Sequence, residues 1–197
     1  MTSVLMADCV GSWRRTLLVN PDGSRDTTDV RWLQGTTAFV DSRGFAGWLN
    51  QRGDVFEWRH FVDVQPGETD PDAAMMQWDG GTLIEIGVHA GYVEHWEKDL
   101  TAAVSPCWAL TLCSAEGSDA LLLRVGNQFG WVRRDVQVEV SLGGIDGAEW
   151  MITDSALPHG TGRSLRPMLH ADYLDVDDST YTLRRWHIKE GEGSVKL

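Results

Sequence analysis

The chain has 197 residues, 42% of them hydrophobic, which is enough apolar surface to pack one large domain or two small ones. Seventeen Lys and Arg stand against twenty-nine Asp and Glu, a formal balance of −12 that repels phosphate backbones and anionic bilayers, so neither a nucleic-acid nor a membrane partner is expected. The first residues lack the basic start and long apolar run of a secretory signal, and no segment nears the roughly 18 apolar residues of a membrane helix, so a cytoplasmic protein is expected.

After a short irregular arm, residues 13–19 read as a first strand. It is closed by the turn Asn20-Pro21-Asp22-Gly23, in which the proline presets one φ and the glycine supplies a positive one. Apolar runs follow at 30–34, 38–41 and 45–49. The sharpest alternation spans 55–64, where Phe56, Trp58, His60, Val62 and Val64 fall on one face and Glu57, Arg59 and Asp63 on the other. Beyond the breaker at 65–72 come runs at 73–78, 82–88 and 92–98, joined by the hairpin-sized connections Asp79-Gly80-Gly81 and His89-Ala90-Gly91. These make eight strands, the number at which an up-and-down sheet closes around a lumen just wide enough for side chains or one small ligand.

Residues 101–106 carry no period and no charge and read as a linker, dividing the chain into domains 1–103 and 104–197. The strand pattern restarts at 107–113, 120–125, 129–133, 136–141 and 149–153, and a last strand is expected at 181–188. The Gly-, Pro- and Ser-rich stretch from 154 to 169 reads as a flap or loop. The expected fold is therefore all-β: two lipocalin-like (calycin-type) antiparallel β-barrels in tandem, the second smaller or more irregular.

Ten tryptophans are many for this length. They can fill the lumens, or several of them, Trp58 foremost, can wall a cavity together with Tyr92 and Phe61. His60 is the one ionisable group on its apolar face, either a satisfied core histidine or a group that contacts ligand or moves a proton. Asp41 and Arg43 alternate with Phe39, while Tyr92, Glu94 and Trp96 share a face of their own run. With Glu94 turned inward, Asp41, Arg43, His60 and Glu94 would form a polar network that fixes the fold or lines a site.

Other chemistries find less support. His89 and His95 with Glu94 and Glu97 are competent metal-ligand types, but the adjacent Glu94 and His95 point to opposite faces and His89 lies in a turn, so no metal is expected. The three cysteines, Cys9, Cys107 and Cys113, show neither CxxC pairs nor metal spacing. Nothing like a nucleophile elbow surrounds Ser155 or Ser164 near His159. No cofactor is expected.

The succession Arg31-Trp32, Phe39-Val40-Asp41-Ser42-Arg43, Phe45-Ala46-Gly47, Glu57-Trp58-Arg59-His60, the stretch 79–87 and Tyr92-Val93-Glu94-His95-Trp96 resembles the N-terminal half of a little-characterised family. That family is typified by fungal casein-kinase-interacting proteins built from two calycin-type barrels of lipocalin or avidin topology. Residues 121–126 and Gln128-Phe129-Gly130 are similar to its C-terminal half, so the likeness covers most of residues 12 to 153. The resemblance implies the two-barrel fold and supplies no catalytic set.

Three functions are compatible with these residues. The first is binding of a small apolar or aromatic molecule in the N-terminal barrel, with Trp58, Tyr92 and Trp96 as walls and Asp41, Arg43, His60 and Glu94 fixing orientation. The second is a cofactor-free isomerase, cyclase or hydrolase with His60 or Glu94 as acid or base and Arg43 stabilising negative charge. The third is a scaffold with filled barrels whose acidic faces meet a basic protein partner.

Overall fold

A computed structural model describes residues 3–65, 70–178 and 181–197. The first half contributes β1 (Gly11–Val19), β2 (Arg25–Asp26), β3 (Val30–Gln34), β4 (Ala38–Asp41), β5 (Phe45–Arg52), β6 (Val55–Asp63), β7 (Asp72–Asp79), β8 (Thr82–Gly87) and β9 (Val93–Lys98). β1 pairs with β3 on one side and β9 on the other, so eight antiparallel strands close into a barrel, with the two-residue β2 appended to β1. The second half contributes β10 (Cys107–Cys113), β11 (Asp119–Val125), β12 (Gln128–Arg134), β13 (Val138–Asp146), β14 (Glu149–Ser155), β15 (Ser164–Leu169), β16 (Tyr173–Asp178) and β17 (Tyr181–Gly193). It closes through β10 and β17 into a second eight-stranded barrel. This is the expected tandem of antiparallel barrels. The second is the less regular, because β14 and β15 meet over only the pairs Trp150–Leu165 and Met151–Ser164.

The stretch read as a flap is partly structured: it begins in the end of β14 and ends in β15, and β16 follows it. Leu165, Leu174 and Val176 enter the core of the second barrel while Asp175 and Asp177 alternate with them. Pro167 and the density of aspartates mask that alternation, since each strand presents few inward apolar positions.

Inward-facing aromatics fill both barrels. In the first, Trp13 stacks on Trp32 with ring centroids 5.6 Å apart, and Trp32 meets Trp96 edge-on at 5.6 Å and Trp58 at 6.1 Å. In the second, Trp108, Trp131, Trp150 and Trp186 pack around Leu110, Leu122 and Phe129. A third apolar layer joins the barrels. Leu33, Ala38, Val40, Ala46 and Val62 of the first lie against Leu121, Leu123, Val132, Val140 and Leu142 of the second.

A β-bulge on β6 sets much of this geometry. Val62 pairs with Ala46 of β5, yet His60 pairs with the next residue, Gly47, leaving Phe61 as the extra one. A Cβ at Gly47 would collide with the Arg59 carbonyl oxygen and the Phe61 amide, which is why glycine stands there. The bulge corrects the expected strand face. Phe56 and Trp58 do point into the barrel, but Val62 and Val64 turn outward to the layer between barrels. Phe61, expected near the cavity, instead packs on Trp48 and lies under the Arg134 guanidinium of the other barrel.

One end of the first barrel is plugged. The short helix α1 (Met6–Cys9) tucks Val4 and Cys9 into the core, Trp13 Nε1 donates to the Cys9 carbonyl at 2.6 Å, and Lys98 Nζ donates to that of Asp8 at 2.9 Å. Burial pushes the Cys9 thiol up to about 12, so it stays protonated.

Candidate functional site

The plug contacts the start of β1 and the end of β9. At the opposite end of the barrel, where β1 finishes and β9 begins, a cavity of about 670 Å³ opens. All seven residues singled out from the sequence, Asp41, Arg43, Trp58, His60, Tyr92, Glu94 and Trp96, line it. They do so in three groups with different chemistry.

The first group is an ion cluster behind the cavity floor. Arg43 follows β4 in the turn to β5; its Nε and Nη2 bind both oxygens of Asp41 at 3.0 and 2.9 Å, and its Nη1 reaches Glu94 Oε1 at 3.1 Å. The same oxygen of Glu94 takes Arg15 Nη1 at 2.7 Å, and Arg15 Nη2 continues to Asp26 at 2.8 Å. Glu94 is 2% exposed, and its Oε2 has no hydrogen-bond partner. Burial works against the charge of Arg43, but the carboxylates of Asp41 and Glu94 more than offset it and hold the guanidinium protonated. Arg43 also lies 4.7 Å over the Phe45 ring and 5.7 Å over that of Trp96.

Glu85 forms the second group. It is 4% exposed and is the register partner of Glu94 across β8 and β9. Its Oε1 accepts the Tyr92 hydroxyl at 2.8 Å and its Oε2 accepts Trp96 Nε1 at 3.0 Å. Burial first, then the neighbouring charge of Glu94, raise its pKa well above the ordinary carboxylate value. Burial and Glu85 likewise raise that of Tyr92.

The third group sits at the mouth. His60 is expected as a core histidine or as a group that contacts ligand or moves a proton, within a network with Asp41, Arg43 and Glu94; it lines the cavity but lies in neither the core nor that network. Its side chain remains 24% exposed, with Nδ1 3.2 Å from Asp63 Oδ2, Nε2 3.0 Å from Asp72 Oδ2, and its ring stacked on Phe45 at 5.0 Å. The hydrogen bond to Asp72 is the largest influence and raises the imidazole above its ordinary value against the opposing effect of burial. His60 thus clasps the end of β6 to the start of β7.

Several polar residues of the site escape the sequence reading, among them Glu85, Arg15, Asp63 and Asp72. Two leave a signal: Glu85 is in phase with the inward Leu83, and Arg15 is in phase with the inward Trp13. Asp63 is hidden by the bulge, which swings it from the expected solvent face to the cavity. Asp72 is the first residue of its strand, where no periodicity yet exists. With them the lining is more acidic than the expected greasy lumen: Asp41, Asp63, Asp70, Asp72, Glu85 and Glu94 face one arginine and one histidine.

The second barrel also buries charge. Glu139 lies at its interior between Arg133, at 2.8 Å, and Arg163, and its Oε1 accepts the Ser141 hydroxyl at 3.0 Å. Among the described residues, no group of three or more His, Cys, Asp or Glu is placed to hold a metal ion, and no helix is long and apolar enough to cross a membrane. No family model, no curated protein and no solved structure matches the chain.

Proposed function

We propose that the first barrel binds a small organic molecule with an aromatic or apolar body, and that the second barrel, packed to its centre, supports it. The observation that carries this reading is the cavity at the open end of the first barrel. It measures about 670 Å³, within the usual range for small-ligand sites, and opens beside Trp32, Trp58 and Trp96. The kinship with two-barrel calycin-type proteins is part of the same proposal. Titrating a panel of aromatic compounds while following tryptophan emission and calorimetric heat tests it. Saturable changes that disappear in Leu18→Trp, which narrows the cavity wall, are expected. Flat emission and no heat across the panel, with the fold intact by circular dichroism, would overturn it.

A second reading, cofactor-free catalysis, is favoured by one observation: Glu85, whose pKa burial raises, holds the Tyr92 hydroxyl at 2.8 Å in the cavity wall. That moves the acid from His60 or Glu94 to the Glu85–Tyr92 pair, with Arg43 as the group that polarises a carbonyl oxygen. Tyr92→Phe would then bind ligand normally and turn over none of it.

A further inference from the structure

Building on the binding reading, we infer that the ligand of the first barrel is an organic cation, an aromatic body carrying a protonated amine that remains at the acidic mouth of the cavity.

The mouth carries the charge that selects it. Asp63, Asp70 and Asp72 line the cavity, and among the described residues the basic partner there is His60, which lies between Asp63 and Asp72. The side chains of Asp63 and Asp72 keep 26% and 33% of their surface exposed, so an ammonium can reach them from solvent. An incoming anion must pass these carboxylates on a protein whose formal charge is already −12.

The floor does not reverse this preference. Arg43 is the cation a ligand carboxylate would seek, but three of its five N–H groups are already bound to Asp41 or Glu94, whose carboxylates offset its charge. Counted whole, the cluster beneath the cavity has three carboxylates, Asp26, Asp41 and Glu94, against two guanidiniums, Arg15 and Arg43. Its surplus is negative, and the buried Glu94 retains one oxygen without a donor. Arg15 Nε is likewise unpaired, but Arg15 does not line the cavity.

The walls suit the rest of such a molecule. Trp32, Trp58 and Trp96 line the cavity with aromatic surface, and the Phe45 ring at the mouth stacks on His60 and already takes one cation, the Arg43 guanidinium.

Three compounds of matched shape isolate the charge: tryptamine, 3-propylindole and indole-3-propionate, which are cationic, neutral and anionic at pH 7. Calorimetry on the full-length protein at low salt is expected to rank tryptamine about tenfold tighter than 3-propylindole, a modest contribution for a half-exposed ion pair. Indole-3-propionate should be weakest. The gap should shrink severalfold at 0.5 M salt, where screening acts within about 4 Å. Asp70→Asn, at an exposed position, should narrow the gap without disturbing the fold, as should Asp63→Asn. Equal affinity for all three compounds, or tighter binding of the propionate, overturns the inference while leaving the binding reading intact. Binding by none of them, with the protein folded, overturns both.

Discussion

Glu85 and Glu94 are register partners on neighbouring strands, both turned into the barrel and both buried, yet their hydrogen-bond partners differ in charge. Glu94 is surrounded by the guanidiniums of Arg15 and Arg43, whereas Glu85 receives only a phenol and an indole N–H. Two like charges across one strand pair would repel, and neutralising Glu85 removes the conflict. Its folded state therefore keeps a proton that the unfolded chain releases near pH 4.3. The native form binds more protons above that pH, so this residue's contribution to stability is full at low pH and declines as pH rises towards the raised folded value. Glu85→Gln, which can donate to the Tyr92 oxygen and accept from Trp96, lacks this decline. The melting temperature of the variant should gain on wild type as pH is raised from 4 to 8. A constant difference over that range would mean that Glu85 ionises normally.

The clasp at the mouth titrates in a different window. His60 is raised mainly by Asp72, so the stabilisation it supplies is complete below about pH 6.5, the unfolded value, and fades as pH climbs through the higher folded one. Asp72→Asn should move the His60 titration, followed by its imidazole proton resonances, back towards the ordinary value. His60→Gln should cost stability at pH 6 and progressively less at pH 9.

Gly47 is the hinge of the bulge. A methyl group there would meet the Arg59 carbonyl and the Phe61 amide, both backbone atoms that cannot swing aside. Gly47→Ala should destabilise the protein by about 3 kcal/mol, within the range for backbone clashes and overpacking. It should also shift His60 relative to Phe45, so ligand affinity at the mouth should fall with stability. Denaturant unfolding and ligand titration of the same sample check both effects.

The bulge also marks the limit of what the sequence made legible. Strand number and closure of the first barrel follow from alternation and turn glycines, because each strand buries one face and its turns need positive φ. Inward placement of Asp41, Tyr92, Glu94 and Trp96 follows from the same two-residue period. One inserted residue then defeats it. After Phe61 the inside and outside of β6 exchange, which sends Val62 to the other barrel and brings Asp63 to the cavity. The role of Glu85 depended on a hydrogen-bond partner one strand away, and pairing across strands is not written in local order. In the second barrel, β15 was obscured because Pro167 and polar neighbours outweigh its single fully buried leucine, Leu165.

The last relationship concerns how the barrels hold each other. Glu192 on β17 reaches the loop between β3 and β4, where its carboxylate accepts the Thr37 hydroxyl at 2.6 Å and the amides of Thr37 and Ala38 at 3.2 and 3.3 Å. That contact borders the apolar layer in which Val40 lies against Gly130, so closely that a Cβ on Gly130 would strike the valine. A continuous apolar interface couples the folding of two units, because separating them exposes both faces to water. Wild type should therefore unfold in one calorimetric transition. Removing the carboxylate in Glu192→Ala leaves the loop amides without an acceptor and should cost about 1–3 kcal/mol, the range for an unpaired buried polar group. Val40→Asp buries a charge against Gly130 and should uncouple the barrels, resolving two transitions of which the earlier follows the signal of the cavity tryptophans. A single transition retained in Val40→Asp would show that the barrels are coupled by something other than this layer.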